Sequence, residues 1–227
     1  MTFCVPTHIG TVFFDIDGTL LDHRRAADLA VTRFADEHGI MRSSQDNVEL
    51  WNDLEHKYFH QFEQGKLSFS DQRRARLREF LDADHMSDED LDVMFDDYYD
   101  DYREKWRPFP DVGGALSRCR KAGFSIGVIS NGNHVQQLDK LHRIGIDLED
   151  DHVFTSERLG FAKPDRQMYI RACELMDSTP RRSLMIGDDR VADYDGARAA
   201  GLSAVLVDRE GIGGIGTVTS LDEVEFM

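Results

Sequence analysis

The chain is punctuated by short apolar runs that each end in polar residues. Residues 12–20 read Val-Phe-Phe-Asp-Ile-Asp-Gly-Thr-Leu, and residues 124–131 read Phe-Ser-Ile-Gly-Val-Ile-Ser-Asn. Val153-Phe154-Thr155 is a shorter run, and residues 184–189, Leu-Met-Ile-Gly-Asp-Asp, repeat the form. Ala204 to Val207 closes the series. Apolar runs of this length, rich in Val, Ile and Phe, predict buried strands. Between them the spacing predicts helices over Asp111–Ala122, Val135–Ile144, Arg166–Met176 and Tyr194–Ala200. Asp165, after Pro164, serves as N-cap of the third, and Gly201 stops the last. Strands alternating with helices predict a parallel sheet with crossover helices. Gly211–Gly216 reads as a connection and not as a phosphate loop, because no Lys-Ser or Lys-Thr follows it.

Residues 20–107 break this alternation. They carry no strong strand signal and read as helices over Arg24–His38, Gln45–Gln64, Ser70–Leu81 and Ser87–Trp106. In the last, Leu91, Phe95, Tyr98, Tyr99, Tyr102 and Trp106 recur at helical spacing, which predicts core packing. Ser87 followed by Asp88, Glu89 and Asp90 supplies an N-cap and an acidic first turn. Pro108 and Pro110 close the segment. The expected organisation is an α/β core of residues 1–20 and 109–227, interrupted after its first strand by an all-helical insert, 21–108.

Composition narrows the partners. A chain of 227 residues can hold one ordinary domain and a smaller one. The net charge of −16 argues against nucleic acid or an anionic membrane, since both need a basic face. It does not exclude a phosphate substrate, because a local lysine, a metal and backbone amides can outweigh a global field. No apolar stretch approaches the roughly 20 residues of a membrane span. The start, Met-Thr-Phe-Cys-Val-Pro, lacks a charged region and a long apolar run, so no signal peptide and a cytoplasmic location are expected. Cys4, Cys119 and Cys173 are odd in number and widely spaced, which fits free thiols. Arg73, Arg74, Arg76 and Arg78 read as a solvated helix face with ion pairs, or as a contact for a second anionic group on a substrate. Asp96, Asp97, Asp100 and Asp101 read as such a face too.

The candidate chemistry lies where the strands stop. Asp15 and Asp17, at i and i+2, can point into the same space. Two like charges that close repel unless a cation or a shared proton intervenes. A magnesium site with Asp15 free to act as nucleophile accounts for the pair; a polar loop capping the next helix is the alternative. Ser130-Asn131, Lys163, and Asp188-Asp189 with Asp193 follow other apolar runs. Ligands of open parallel sheets bind outside the carboxyl ends of the strands, so all four elements are expected to converge.

Taken in order, Asp15-Ile16-Asp17-Gly18-Thr19, Ser130-Asn131-Gly132, Lys163-Pro164, and Gly187-Asp188 with Asp193 resemble the four motifs of haloacid dehalogenase superfamily hydrolases of the phosphatase type. The resemblance spans about residues 10–210. It implies a Rossmann-like parallel-sheet core with an inserted helical cap, Mg²⁺ as cofactor, and a small phosphorylated metabolite as partner. Asp15 would attack phosphorus and form an aspartyl-phosphate, while Asp17 would serve first as acid and then as base. Ser130, Asn131, Thr19 and Lys163 would serve the substrate phosphate, Thr19 also fixing the turn after Asp17. Asp15, the backbone carbonyl of Asp17 and Asp188 would hold the metal, with Asp193 acting through water or by orienting Lys163. Asp189 would approach the metal or cap the next helix. His23, Arg24 and Arg25 follow the first motif closely enough to reach its mouth, and the cap should carry substrate choice. A phosphomutase would use the same residues. A phosphonate hydrolase would call on a cap lysine, for which Lys57 and Lys66 sit in no suggestive pattern. Dehalogenation would need no Asp17, and loss of Asp15 or Asp188 would have marked a non-catalytic module. A monomer or a homodimer fits equally.

Overall fold

A computed structural model describes residues 2–211 and 217–227. In chain order its strands are β1 (Phe3–Cys4), β2 (Thr11–Phe14), β3 (Ser125–Ser130), β4 (Val153–Thr155), β5 (Ser183–Gly187), β6 (Ser203–Val207), β7 (Thr217–Val218) and β8 (Val224–Glu225). Its α-helices are α1 (His23–Glu37), α2 (Ser44–Glu63), α3 (Phe69–Leu81), α4 (Asp88–Glu104), α5 (Val112–Lys121), α6 (His134–Arg143), α7 (Ser156–Leu159), α8 (Arg166–Leu175) and α9 (Gly196–Ala200). The chain divides into two compact units, Met1–Asp22 with Arg107–Met227, and His23–Trp106.

The first unit is a parallel α/β structure. Six strands pair in the order β4-β3-β2-β5-β6-β7, all parallel, while β1 and β8 pair separately. The chain builds outward from β2 to β4 on one side, then returns to β2 and builds β5 to β7 on the other. Neighbouring β2 and β5 therefore flank a topological switch point, where open parallel sheets bind ligands. Register aligns the strand ends: Phe14 pairs with both Val128 and Ile186, and Ser130 pairs with Thr155. Asp15, Ser130 and Asp188 thus leave the sheet at one edge.

β2 and β5 are buried along their whole length. A parallel sheet of this kind needs cover on its faces. Phe13, Ile129, Phe154 and Met185 cluster with Met168, Tyr169, Ala172 and Cys173 of α8 and with Ala197 and Ala200 of α9. The helix expected over Tyr194–Ala200 begins differently. A π-helical turn, Arg190–Asp195, precedes α9. Tyr194 N reaches back to Asp189 O at 3.2 Å, and this wider turn accommodates the buried Asp193. β1, β7 and β8 are two-residue pairings, too short to leave a pattern in the sequence. Of the glycine-rich connection, residues 212–216 lie outside the described residues.

The second unit is four helices, with α1 packed on α2 and α4, and α3 packed on the same two. Three of them start alike. Ser43, Ser68 and Ser87 accept from the backbone N–H of Asp46, Asp71 and Asp90, and each serine donates to the same aspartate's carboxylate. Trp51, Phe80, Phe95 and Tyr98 form its aromatic centre, where Trp51 Nε1 donates to Tyr98 Oη at 2.9 Å. The arginine stretch is spent inside this unit. Arg74 pairs with Asp92 and Asp88, Arg78 with Asp88, and buried Arg76 with Glu55 at 2.6 Å, its guanidinium 4.4 Å from the Trp51 ring centre. Asp101 departs from the expected solvated face: it is buried, with Arg33 and Lys105 on one oxygen. Among the described residues no helix is long and apolar enough to cross a membrane.

Residues 21, 22, 107 and 108 belong to the sheet-bearing unit, although their position in sequence suggests the insert. The outgoing and returning chain are zipped together there: Asp22 N donates to Arg107 O at 3.0 Å, Phe109 N to Leu20 O at 3.1 Å, and Leu21 bridges to Pro108. Just beyond, buried Asp111 accepts from Ser220 Oγ at 2.6 Å, from Leu221 N at 2.7 Å and from Arg209, whose other nitrogen donates to Thr19 O at 2.7 Å. Asp111→Ala leaves that guanidinium and amide unpaired. It should destabilise the protein by about 3 kcal/mol in urea unfolding, the usual cost of breaking a buried pair; a loss under about 1 kcal/mol would mean that solvent already screens it.

Candidate active site

Asp15 follows β2 directly and is 6% exposed. Its backbone N–H continues the ladder to Ile186 O at 2.9 Å, which fixes the carboxylate beside the end of β5. Lys163 Nζ lies 2.6 Å from Asp15 Oδ1 and 2.6 Å from Asp193 Oδ1. Lys163 is itself clamped. Asn131 Nδ2 donates to its carbonyl at 3.0 Å, and its N–H donates to Asn131 Oδ1 at 2.8 Å. The loop carrying the lysine is thereby tied to the end of β3.

One oxygen from each of Asp15, Asp188 and Asp193 lies within 4.8 Å of the others. Two glycines allow that approach. A Cβ on Gly18, whose φ is +84°, would stand 2.1 Å from Asp188 Oδ2, and one on Gly187 would stand 2.2 Å from Asp193 Cγ. Burial pushes the Asp15 carboxyl well above the ordinary aspartate value; Lys163 opposes this, while Asp193, Asp188 and Asp17 add to it. Asp188 keeps an exposed surface, but desolvation by the surrounding protein, then the Asp193 charge, pushes its carboxyl up to about 7. Asp193 is raised by burial against the pull of Lys163. Burial would lower Lys163, but the Asp15 and Asp193 charges outweigh it and hold the ammonium above the ordinary lysine value. Three oxygen donors that resist ionising together are a set a hard divalent cation could hold.

The remaining candidates divide. Ser130 is buried at the end of β3 and receives Gln137 Nε2 at 2.8 Å. Thr19, expected at the phosphate, is fully buried, and its hydroxyl donates to Asp188 Oδ1 at 3.0 Å. Its proton is spent on orienting that carboxylate. Asp193 uses both oxygens within the protein, on Lys163 and on Asp189 N at 3.1 Å. Asp189 Oδ1 accepts from Val191 N and Ala192 N at 2.8 and 2.7 Å, so it caps the π-helical turn. His23 lies in the helical unit, where it meets Tyr102 Oη at 2.6 Å and Glu55 at 3.2 Å. Burial pushes the Cys119 thiol up to about 12 and Cys173 up to about 11, which leaves neither thiol nucleophilic at neutral pH.

The Asp17 side chain stands apart from the carboxylate cluster. Its two oxygens accept from Lys140 Nζ at 2.8 and 2.7 Å, and Gln137 Nε2 lies 3.3 Å from Oδ2. Neither partner figured among the sequence candidates. The signal was an inverted face on α6: Gln137, Lys140 and Leu141 are buried, while Val135 is 72% exposed. Polar residues at i and i+3 on the inward stripe, with an aliphatic outside, mark buried polar work.

Comparison with known proteins places these features in a family. Residues 9–201 match the family model of haloacid dehalogenase-like hydrolases. A glyceraldehyde 3-phosphate phosphatase of Methanothermobacter thermautotrophicus is 41% identical over 104 residues, a match that spans 46% of each chain and so under half the length of that relative. A ribulose-1,5-bisphosphate 5-phosphatase of Halopiger xanaduensis is 29% identical over 87% of this chain and 84% of its own. The magnesium-bound crystal structure of the HAD-hydrolase YfnB of Bacillus subtilis superposes with a TM-score of 0.81 at 22% identity, covering 95% of this chain and 96% of that one. This last likeness is one of fold.

The carboxylate cluster makes a pH prediction. A carboxyl whose folded pKa is raised binds protons in the native state that the unfolded state has already released, so stability falls as pH rises through the interval. Asp188, with Asp15 and Asp193 in the same sense, gives the metal-free protein a stability that declines between about pH 5 and pH 7. The lowered carboxyls Glu55, Glu79, Asp92, Asp111 and Glu223 act only below that window. Urea unfolding in chelator should reveal the decline, and Asp188→Asn should flatten it. An unchanged slope in the variant would assign the pH dependence elsewhere.

Proposed function

Because the chain belongs to the haloacid dehalogenase-like hydrolase family, we propose that it hydrolyses a small phosphomonoester through an aspartyl-phosphate formed on Asp15. The observation that carries this reading is the buried Asp15 held by Lys163 at the switch point of the sheet, beside Asp188 and Asp193 and two residues from Asp17. The donor set is oxygen only and crowded with charge, which suits Mg²⁺. Asp15, Asp188 and the backbone carbonyl of Asp17 would hold the ion, which would neutralise charge on the phosphate.

The protein groups then have distinct tasks. Lys163 holds one Asp15 oxygen in place and offsets its repulsion from an incoming phosphate. Asp15 attacks phosphorus, the ester P–O bond breaks, and the leaving oxygen takes a proton from Asp17. Asp17 afterwards accepts a proton from the water that attacks the acyl-phosphate, which releases phosphate and restores Asp15. The Ser130 hydroxyl and the Asn131 N–H are assigned to the phosphate oxygens. Asn131's side chain is committed to Lys163, so only its backbone serves the substrate. Substrate choice is assigned to the helical unit. The sugar phosphates named for the two phosphatase relatives support a small phosphorylated metabolite as the substrate class.

Phosphate release from a panel of phosphomonoesters tests this directly. Release should need Mg²⁺, stop with EDTA and return when Mg²⁺ is restored. Asp15→Asn should fall to background while still melting cooperatively as a folded protein. Ordinary turnover by that variant would remove the covalent step, and release unaffected by chelation would remove the metal.

A further inference from the structure

Lys140 has no task in the mechanism above, yet it is 4% exposed and lies at the active-site edge of the sheet. Its ammonium meets both oxygens of Asp17, at 2.8 and 2.7 Å. One helical turn earlier, Gln137 is also buried, and its amide nitrogen lies 3.3 Å from Asp17 Oδ2, 2.8 Å from Ser130 Oγ and 3.0 Å from Asn131 O. That nitrogen has two hydrogens for three acceptors, while Gln137 Oε1 is buried without a partner. Both features are costly. A buried lysine loses its hydration, and replacing a buried ion pair by apolar residues is often neutral or stabilising. A leucine at either position would extend the apolar stripe that already includes Leu141. Stability alone therefore gives a weak account of a Lys and a Gln at these two places.

Geometry supplies a better one. Asp17 sits on the turn after β2 with its side chain 29% exposed, so its carboxylate is not fixed by packing. Left alone it would sample several staggered orientations. The ammonium grips both oxygens at once, and the Gln137 amide connects that grip to Ser130 and Asn131, the groups assigned to the phosphate. We propose that Lys140, together with Gln137, is a positioning residue for Asp17, holding its carboxylate in register with the phosphate-binding end of β3. The proposal rests on the phosphatase reading, which gives Asp17 its acid–base task. Displacement of a reacting group by about 1 Å can cost on the order of 10²-fold in rate.

The test exploits the one task Asp17 has before the ester bond breaks, protonating the leaving oxygen, for which one Asp17 oxygen carries the proton while Lys140 keeps its hold on the other. Compare kcat/KM for an alkyl phosphate, whose alkoxide needs that proton, and for 4-nitrophenyl phosphate, whose phenolate leaves without it. Lys140→Met should lose about 10- to 100-fold on the alkyl ester, mostly in kcat, and several-fold less on the aryl ester. Lys140→Arg, still cationic and able to meet two oxygens, should recover much of the loss. Gln137→Met should follow the same pattern more mildly, and it carries the comparison if Lys140→Met does not fold. Melting curves identify any variant that fails for that reason. Equal losses on both esters, or losses that Lys140→Arg does not relieve, would overturn the positioning role and leave the phosphatase reading standing. A folded wild type that releases no phosphate, or an Asp15→Asn variant that still does, would strike the phosphatase reading and this proposal with it.

Discussion

The active-site end of the sheet depends on a buried ammonium among buried carboxylates. Register delivers Asp15 and Asp188 from adjacent strands to one edge, and the π-helical turn brings Asp193 to the same place. Nothing in the strands themselves makes that tolerable. Lys163 does so by bridging Asp15 and Asp193. Its attraction compensates only in part for desolvation and mutual repulsion, because Asp15, Asp188 and Asp193 all remain raised. The residual strain is electrostatic, and a divalent cation relieves strain of that sign. The same need explains the side chain of Asn131, which clamps the backbone of Lys163 rather than facing outward.

Asp17 is handled by a second cation from a different element. Lys163 arrives on the loop after α7 and serves buried groups; Lys140 arrives on α6 and serves a half-exposed one. Two carboxylates two residues apart therefore end in different surroundings. Separating the environments of paired acids is how a site gives them different tasks. Here the separation is built from two lysines on different elements, with Gln137 connecting the Asp17 grip to Ser130.

The strand ends were legible in the sequence because buried parallel strands are apolar along their length, so a polar residue at the end is conspicuous. Asp15, Ser130 and Asp188 could be named on that ground, and Lys163 from its place in the order of motifs, and the structure brings their elements to one edge. What was not legible lies where tertiary contacts decide. Ser43 and Ser68 cap helices by the same Ser-x-x-Asp pattern that was recognised at Ser87, but they lack its run of acids. Gln137 and Lys140 look like surface residues until the direction of α6 is known. Asp193 was visible as a motif residue, whereas the wide turn that accommodates it leaves no periodic trace. The tie between Asp111, Arg209 and Thr19 joins residues too far apart in sequence for any local pattern to link them.

The insert leaves and rejoins the first unit at a closed junction. The chain leaves the first unit at Asp22 and re-enters at Arg107, and those two residues are hydrogen-bonded to each other. An insertion whose ends already meet requires no opening of the sheet, and the entropic cost of closing a longer segment rises only logarithmically. The segment His23–Trp106 has its own aromatic core and its own capped helices. Asp15, Asp17, Ser130, Lys140, Lys163, Asp188 and Asp193, gathered at the sheet edge, belong to the first unit. A change at Gly18 or Gly187 would push a Cβ into the carboxylates of that edge.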